Sequence, residues 1–86
     1  MWYVYILRCA DNSLYTGTAT NVEARAAAHN LGRGAKYTRG RLPVRVVYIE
    51  TCGSRSEALA REFAIKRLTR AKKEGLLALS PTKDSL

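Results

Sequence analysis

The stretch Trp2-Tyr3-Val4-Tyr5-Ile6-Leu7 constrains this chain more than any other. Consecutive aromatic, β-branched and aliphatic side chains favour extended backbone and need cover, so the run reads as a buried strand. Asp11-Asn12-Ser13 supplies a turn and Leu14 to Thr18 a second strand, so the chain opens on a hairpin. Thr20-x-x-Glu23 fits a capping box starting a helix that runs to about Leu31, with Gly32 placed to stop it. Residues 32–43 read as a loop of Gly-flanked basic clusters closed by Pro43, and Val44 to Glu50 as a third strand. Ser54-x-x-Glu57 opens a second helix running to about Leu68, and a short basic helix over roughly 70–78 follows. The expected fold is α+β, three strands with flanking helices in the order β-β-α-β-α-α, forming one domain over 1–79 with 80–86 as a flexible tail.

Eighty-six residues suffice for one modest core and exclude two lobes with a cleft between them. No apolar run approaches the ~20 residues of a membrane helix, and no basic segment precedes Trp2 as in a signal peptide, so a cytoplasmic protein is expected. Fifteen Lys and Arg against seven Asp and Glu leave a net charge of +8, and ten of those bases are arginine. The arginine fork suits bidentate phosphate contacts, which points to a nucleic acid as partner. Cys9 and Cys52 form no CxxC, and with a single histidine they cannot close a Cys/His zinc site, so they read as small reduced hydrophobes.

In the first helix Ala24, Ala27, Ala28 and Leu31 repeat at helical spacing as a core stripe, with Arg25 and His29 together on the adjoining face. In the second, Ala58, Leu59, Phe63 and Ile65 define an apolar arc, and Glu62 falls about 40° from Ala58, in its middle, with Lys66 one turn on. A carboxylate aimed there is costly unless paired or ligated. Two readings are open: an ion pair of Glu62 with Lys66 or an arginine, or a lone carboxylate holding a hard divalent cation such as Mg²⁺. Between Glu23 and Glu50 no acid occurs, and Arg33, Lys36, Arg39, Arg41 and Arg45 surround Tyr37. Bases interleaved with an aromatic suit phosphate tracking with base stacking. Lys66, Arg67, Arg70, Lys72 and Lys73 form a second basic segment.

Tyr3-Val4-Tyr5, nine intervening residues and Tyr15-Thr16-Gly17 together resemble the paired signature of the GIY-YIG nuclease domain. Arg25 lies ten residues after Tyr15 and His29 four further, as in many members, and Glu62 matches the family's metal-binding glutamate. Gly34-Ala35-Lys36-Tyr37-Thr38-Arg39-Gly40 and the Glu57-to-Glu62 helix are similar to the small stand-alone bacterial members. The resemblance implies a Mg²⁺-dependent endonuclease, with Mn²⁺ as a substitute, cutting DNA with low sequence specificity in repair or processing. It implies Glu62 as metal ligand and Arg25 as the group steadying charge on the scissile phosphate. Tyr15 would act as general base or position the water, supported by Tyr5 and His29; which of the three is the base stays open. The DNA could be branched or single-stranded, and a protein partner could supply specificity. Tyr3 stands where the family usually has Gly, Thr16 replaces Ile or Val, Thr18 a lysine of some members, and Lys72 to Glu74 the stretch where some carry Asn. The alternative is a nucleic-acid-binding module with a weak or vestigial nuclease site.

Overall fold

The computed structural model describes residues 1–79, and the tail expected over 80–86 lies outside them. The elements are β1 (Trp2–Arg8), β2 (Leu14–Ala19), α1 (Val22–Asn30), α2 (Lys36–Arg39), β3 (Arg45–Cys52), α3 (Arg55–Lys66) and α4 (Arg70–Leu79). The α+β class and the three strands are as expected, but the order gains α2, a single helical turn where a plain loop was anticipated.

The sheet is antiparallel in the order β2-β1-β3. Its central strand carries the continuous apolar run because both faces are covered. Val4 and Ile6, with Tyr48 and Cys52, meet Ala58 and Ile65 of α3 and Leu76 and Leu77 of α4. Tyr5 and Leu7, with Ala19 and Val44, meet Val22 and Ala26 of α1. The two thiols are free and buried. At the hairpin, Asp11 accepts from the Ser13 amide and hydroxyl at 3.0 and 2.6 Å, and Asn12 takes the left-handed φ of 72° that asparagine tolerates.

Both helix readings need correcting at their faces. The cap of α1 is Asn21, not Thr20; its side chain accepts from the Ala24 amide at 3.0 Å. Gly32 ends the helix as expected, with φ 79°, the Arg33 amide reaching the Ala28 carbonyl and the Gly32 amide that of His29, both at 2.9 Å. The buried residues, however, are Val22 and His29, with Ala26 partly buried between them, while Leu31 of the expected alanine stripe is 69% exposed. Alanine buries too little area for its spacing to decide which face docks, and the larger Val22 decides it instead. In α3 the expected cap is present: Ser54 accepts from the Glu57 amide at 3.2 Å, and Glu57 reaches back to the Gly53 amide at 2.7 Å. Only Ala58 and Ile65 of the expected arc are buried; Leu59 and Phe63 are 41% and 63% exposed.

Charge fastens the outer helices to the sheet. Arg61 of α3 pairs with Glu50 of β3 at 2.8 Å. Glu74 of α4 accepts two bonds from Arg8 of β1, at 3.1 and 2.9 Å, and one from Arg70 at 2.8 Å, while Arg70 also donates to the Asn12 carbonyl at 2.7 Å. Bonds from Arg8 and Arg70 hold the Glu74 carboxyl far below its usual 4.5, at about 2. A carboxylate depressed on folding stabilises the native state above its unfolded value and loses that contribution as pH falls toward the folded one. We therefore expect Glu74→Gln to cost about 1 kcal/mol at pH 7, since the pair is partly exposed. The gap between variant and wild type in urea unfolding should close between about pH 4.5 and 2; an equal gap at both ends would show that packing, not charge, holds α4.

Candidate active site

The hairpin register places Tyr5 opposite Gly17 and Leu7 opposite Tyr15, so the two tyrosines are diagonal neighbours on one face. Their rings lie 6.4 Å apart. Gly17 makes this possible: a Cβ there would stand 2.6 Å from the Tyr5 hydroxyl and 3.1 Å from Tyr15 Cε2. From α1, His29 comes down on both rings edge-on, 5.2 Å from Tyr15 and 6.2 Å from Tyr5. Its Nε2 lies 3.1 Å from Tyr5 Oη and its Nδ1 2.8 Å from Thr38 Oγ1. Tyr5, His29 and Thr38 are all essentially inaccessible. Burial, then Tyr15, pushes the Tyr5 phenol up to about 12, against a smaller pull downward from Arg25. Burial, then the Arg25 guanidinium, lowers His29, which is therefore neutral at pH 7.

Tyr15 is the half-buried member of the group. It opens on a depression of about 410 Å³ that Tyr37, Lys66 and Lys73 also line. The Lys66 ammonium sits 6.0 Å from its ring centroid. Arg25, exposed on α1, lines a separate hollow of about 400 Å³ with Trp2, Thr18 and Asn21. Of the two readings of Glu62, the ion pair is present: Oε2 lies 2.7 Å from Lys66 Nζ, with the glutamate side chain 17% and the lysine side chain 50% exposed. Among the described residues no three His, Cys, Asp or Glu side chains gather as a metal cage. A cation here would have Glu62 as its one protein ligand and water and phosphate as the rest. That donor set suits hydrated Mg²⁺ or Mn²⁺ and not structural Zn²⁺.

The basic residues divide. Arg33, Lys36, Arg39, Arg45 and Lys66 are exposed. Three expected contacts with nucleic acid are already engaged within the protein, Lys66 with Glu62 among them. Arg70 is bound to Glu74 and the Asn12 carbonyl, and Arg41 donates to Asp11 at 3.0 Å and to the Tyr37 carbonyl at 2.7 Å. Tyr37, expected as a stacking platform for bases, is packed on Tyr15, with ring centres 6.1 Å apart, and carries the Arg41 guanidinium 4.0 Å from its ring centre. A charged side chain pairs with what is nearest in space, and spacing along the chain does not reveal that neighbour.

Sequence reasoning missed Thr38, Gly34 and Lys73 as part of this site. Thr38 lies in the one turn of α2 and has no periodic signature. Gly34 is set against the histidine ring: a Cβ there would stand 2.5 Å from His29 Cγ. Asn30 holds the loop shut, its amide exchanging bonds of 2.7 and 3.0 Å with the backbone of Val44. The run of bases around Tyr37 and the resemblance both pointed to this segment, and neither singled out Thr38 or Gly34.

Residues 1–75 match the family model of the GIY-YIG catalytic domain. A UPF0213 protein of Natronomonas pharaonis is 60% identical over 76 residues, spanning 88% of this chain and 89% of that one. Another, from Clostridium perfringens, is 54% identical over 84 residues, 98% and 90% of the two chains. The solution NMR structure of a UPF0213 protein from Bacillus halodurans, 50% identical, matches with a TM-score of 0.60 over 92% of this chain and 85% of that one. Paired tyrosines across a hairpin, with arginine, histidine and glutamate brought to them from two helices, accompany that match, and the chain belongs to the GIY-YIG family, a superfamily of endonucleases that act on DNA.

Proposed function

We propose that this protein is a divalent-metal-dependent endonuclease that hydrolyses DNA phosphodiester bonds with low sequence specificity, in DNA repair or processing in the cytoplasm. Mg²⁺ is the natural cation in this reading and Mn²⁺ its substitute. The observation that carries it is Tyr15, half-buried at the mouth of a depression, with Lys66 beside its ring and Glu62 paired to that lysine. Among the described residues no helix is long and apolar enough to cross a membrane.

Phosphodiester hydrolysis needs positive charge where the phosphorane develops and a water held in line with the leaving oxygen. Arg25 and Lys66 supply the charge from the two hollows. Glu62 would hold the cation, which when bound polarises the phosphate and neutralises the leaving oxygen. Of the three groups left open as base, Tyr5 is buried with its phenol pushed up to about 12, and both nitrogens of His29 face protein partners. That leaves Tyr15 to take the proton of the attacking water, with Tyr5 and His29 holding its ring. Arg33, Lys36, Arg39 and Arg45 track the backbone. They read charge and not bases, so branched or single-stranded DNA is accommodated and sequence preference falls to a protein partner.

Labelled single-stranded, duplex and branched DNA should be cut with Mg²⁺ or Mn²⁺ and left intact in EDTA. Tyr15→Phe should lose about 10²-fold or more, the scale of general-base removal, and Tyr5→Phe markedly less. The Glu62–Lys66 ion pair favours a second reading, a binding module whose site is weak. DNA bound but uncut in every metal would select it.

A further inference from the structure

Thr38 is fully buried in a segment whose neighbours Lys36 and Arg39 face solvent. We propose that Thr38 is a positioning residue that fixes the tautomer of His29, and through it the hydroxyl of Tyr5 and the wall on which Tyr15 rests. The catalytic consequence rests on the nuclease reading above; the tautomer does not.

A threonine hydroxyl has one proton to give. Thr38 Oγ1 lies 2.9 Å from the Ala35 carbonyl, which can only accept, so the proton goes there. The same oxygen, 2.8 Å from His29 Nδ1, must then accept, which places the imidazole proton on Nδ1. A neutral imidazole has only one N–H, so Nε2 carries a lone pair, and the Tyr5 hydroxyl 3.1 Å away donates to it. The opposite arrangement would use the Ala35 amide as donor to Nδ1, but at 3.4 Å that contact is long. The buried chain therefore runs in one sense, from Tyr5 through His29 and Thr38 to the backbone of the α2 turn.

This chain ties the basic segment to the signature tyrosines at two points. Thr38 grips His29 from inside, and Tyr37, its neighbour, packs on Tyr15. Gly34 lets the loop close against the imidazole. Valine at position 38 keeps the shape of threonine and removes the acceptor. The imidazole then relieves its stranded Nδ1–H by moving the proton to Nε2, which turns the Tyr5 hydroxyl from donor into acceptor.

Because the chain has one histidine, long-range ¹H–¹⁵N correlation reads its tautomer without ambiguity. The wild type and Thr38→Ser should show pyrrole-like Nδ1 and pyridine-like Nε2, and Thr38→Val the reverse. With single-stranded or branched DNA and Mg²⁺, kcat of Thr38→Val should fall about ten-fold or more, the scale of a buried partner lost. KM should stay within about two-fold, and Thr38→Ser should restore the rate. Wild-type protein with its proton on Nε2 overturns the proposal outright, with no variant needed. So does Thr38→Val with tautomer and kcat unchanged, or a loss that serine fails to restore. If the wild type cuts no DNA yet valine inverts the tautomer, the nuclease reading fails and the role of Thr38 at His29 stands.

Discussion

Glu62→Ala is expected to abolish metal-dependent cleavage while leaving DNA affinity within a few-fold of wild type. In the proposed site Glu62, paired to the Lys66 that lines the tyrosine depression, is the carboxylate that would hold the cation, so its removal takes that ligand away. Affinity behaves differently because the alanine releases Lys66 from a 2.7 Å ion pair, and a freed ammonium binds phosphate at least as well. Little stability should be lost, since the pair is partly solvated. The comparison requires cleavage rates and binding curves on one substrate at fixed salt. A mutant that cuts at the wild-type rate would refute the metal assignment.

Arg25→Ala should slow cleavage by about 10²- to 10³-fold at saturating DNA, the usual scale for removing a group aimed at charge that appears only in the transition state. A rise confined to KM would make Arg25 a phosphate contact only. The variant has a second readout. Arg25 disfavours the imidazolium of His29 and the neutral form of Tyr5. Without it, the His29 titration midpoint moves up toward 6.5 and the Tyr5 phenol moves higher still. An NMR titration showing no movement of His29 would place the guanidinium farther from the ring than its present position.

The strands were legible because Trp2 to Leu7 and the stretch to Cys52 carry the residues that a doubly covered sheet requires. Glycine at 32 and serine at 54 act locally, so their helix signals were realised where they stand. The faces of the helices were not legible to the same degree. An alanine stripe and a four-residue apolar arc both satisfy helical periodicity, yet which part of each meets the sheet depends on the partner surface. Tyr5, Tyr15, Arg25, His29 and Glu62 were located through the resemblance; the structure groups Tyr5, Tyr15 and His29, sets Lys66, the partner of Glu62, beside Tyr15, and leaves Arg25 lining a second hollow. The basic run was legible only as charge: nothing in its spacing separates Arg39, which faces water, from Arg41, which binds Asp11. Thr38 was hidden for a related reason, since a hydrogen bond across nine residues leaves no mark on local composition.

The absence of a side chain at Gly17 has a consequence for how such a sequence can drift. The glycine is required by a phenol on the opposite strand, not by a turn or an unusual backbone angle. The two halves of the signature are thus a single knob and hole split between distant stretches of text. Tyr3 and Thr16 stand outside that fit, the first opposite Ala19 and the second opposite Ile6, and ordinary strand-compatible side chains satisfy them. Substitution is therefore cheap at those two positions, whereas Gly17 can gain a side chain only if the ring of Tyr5 gives way.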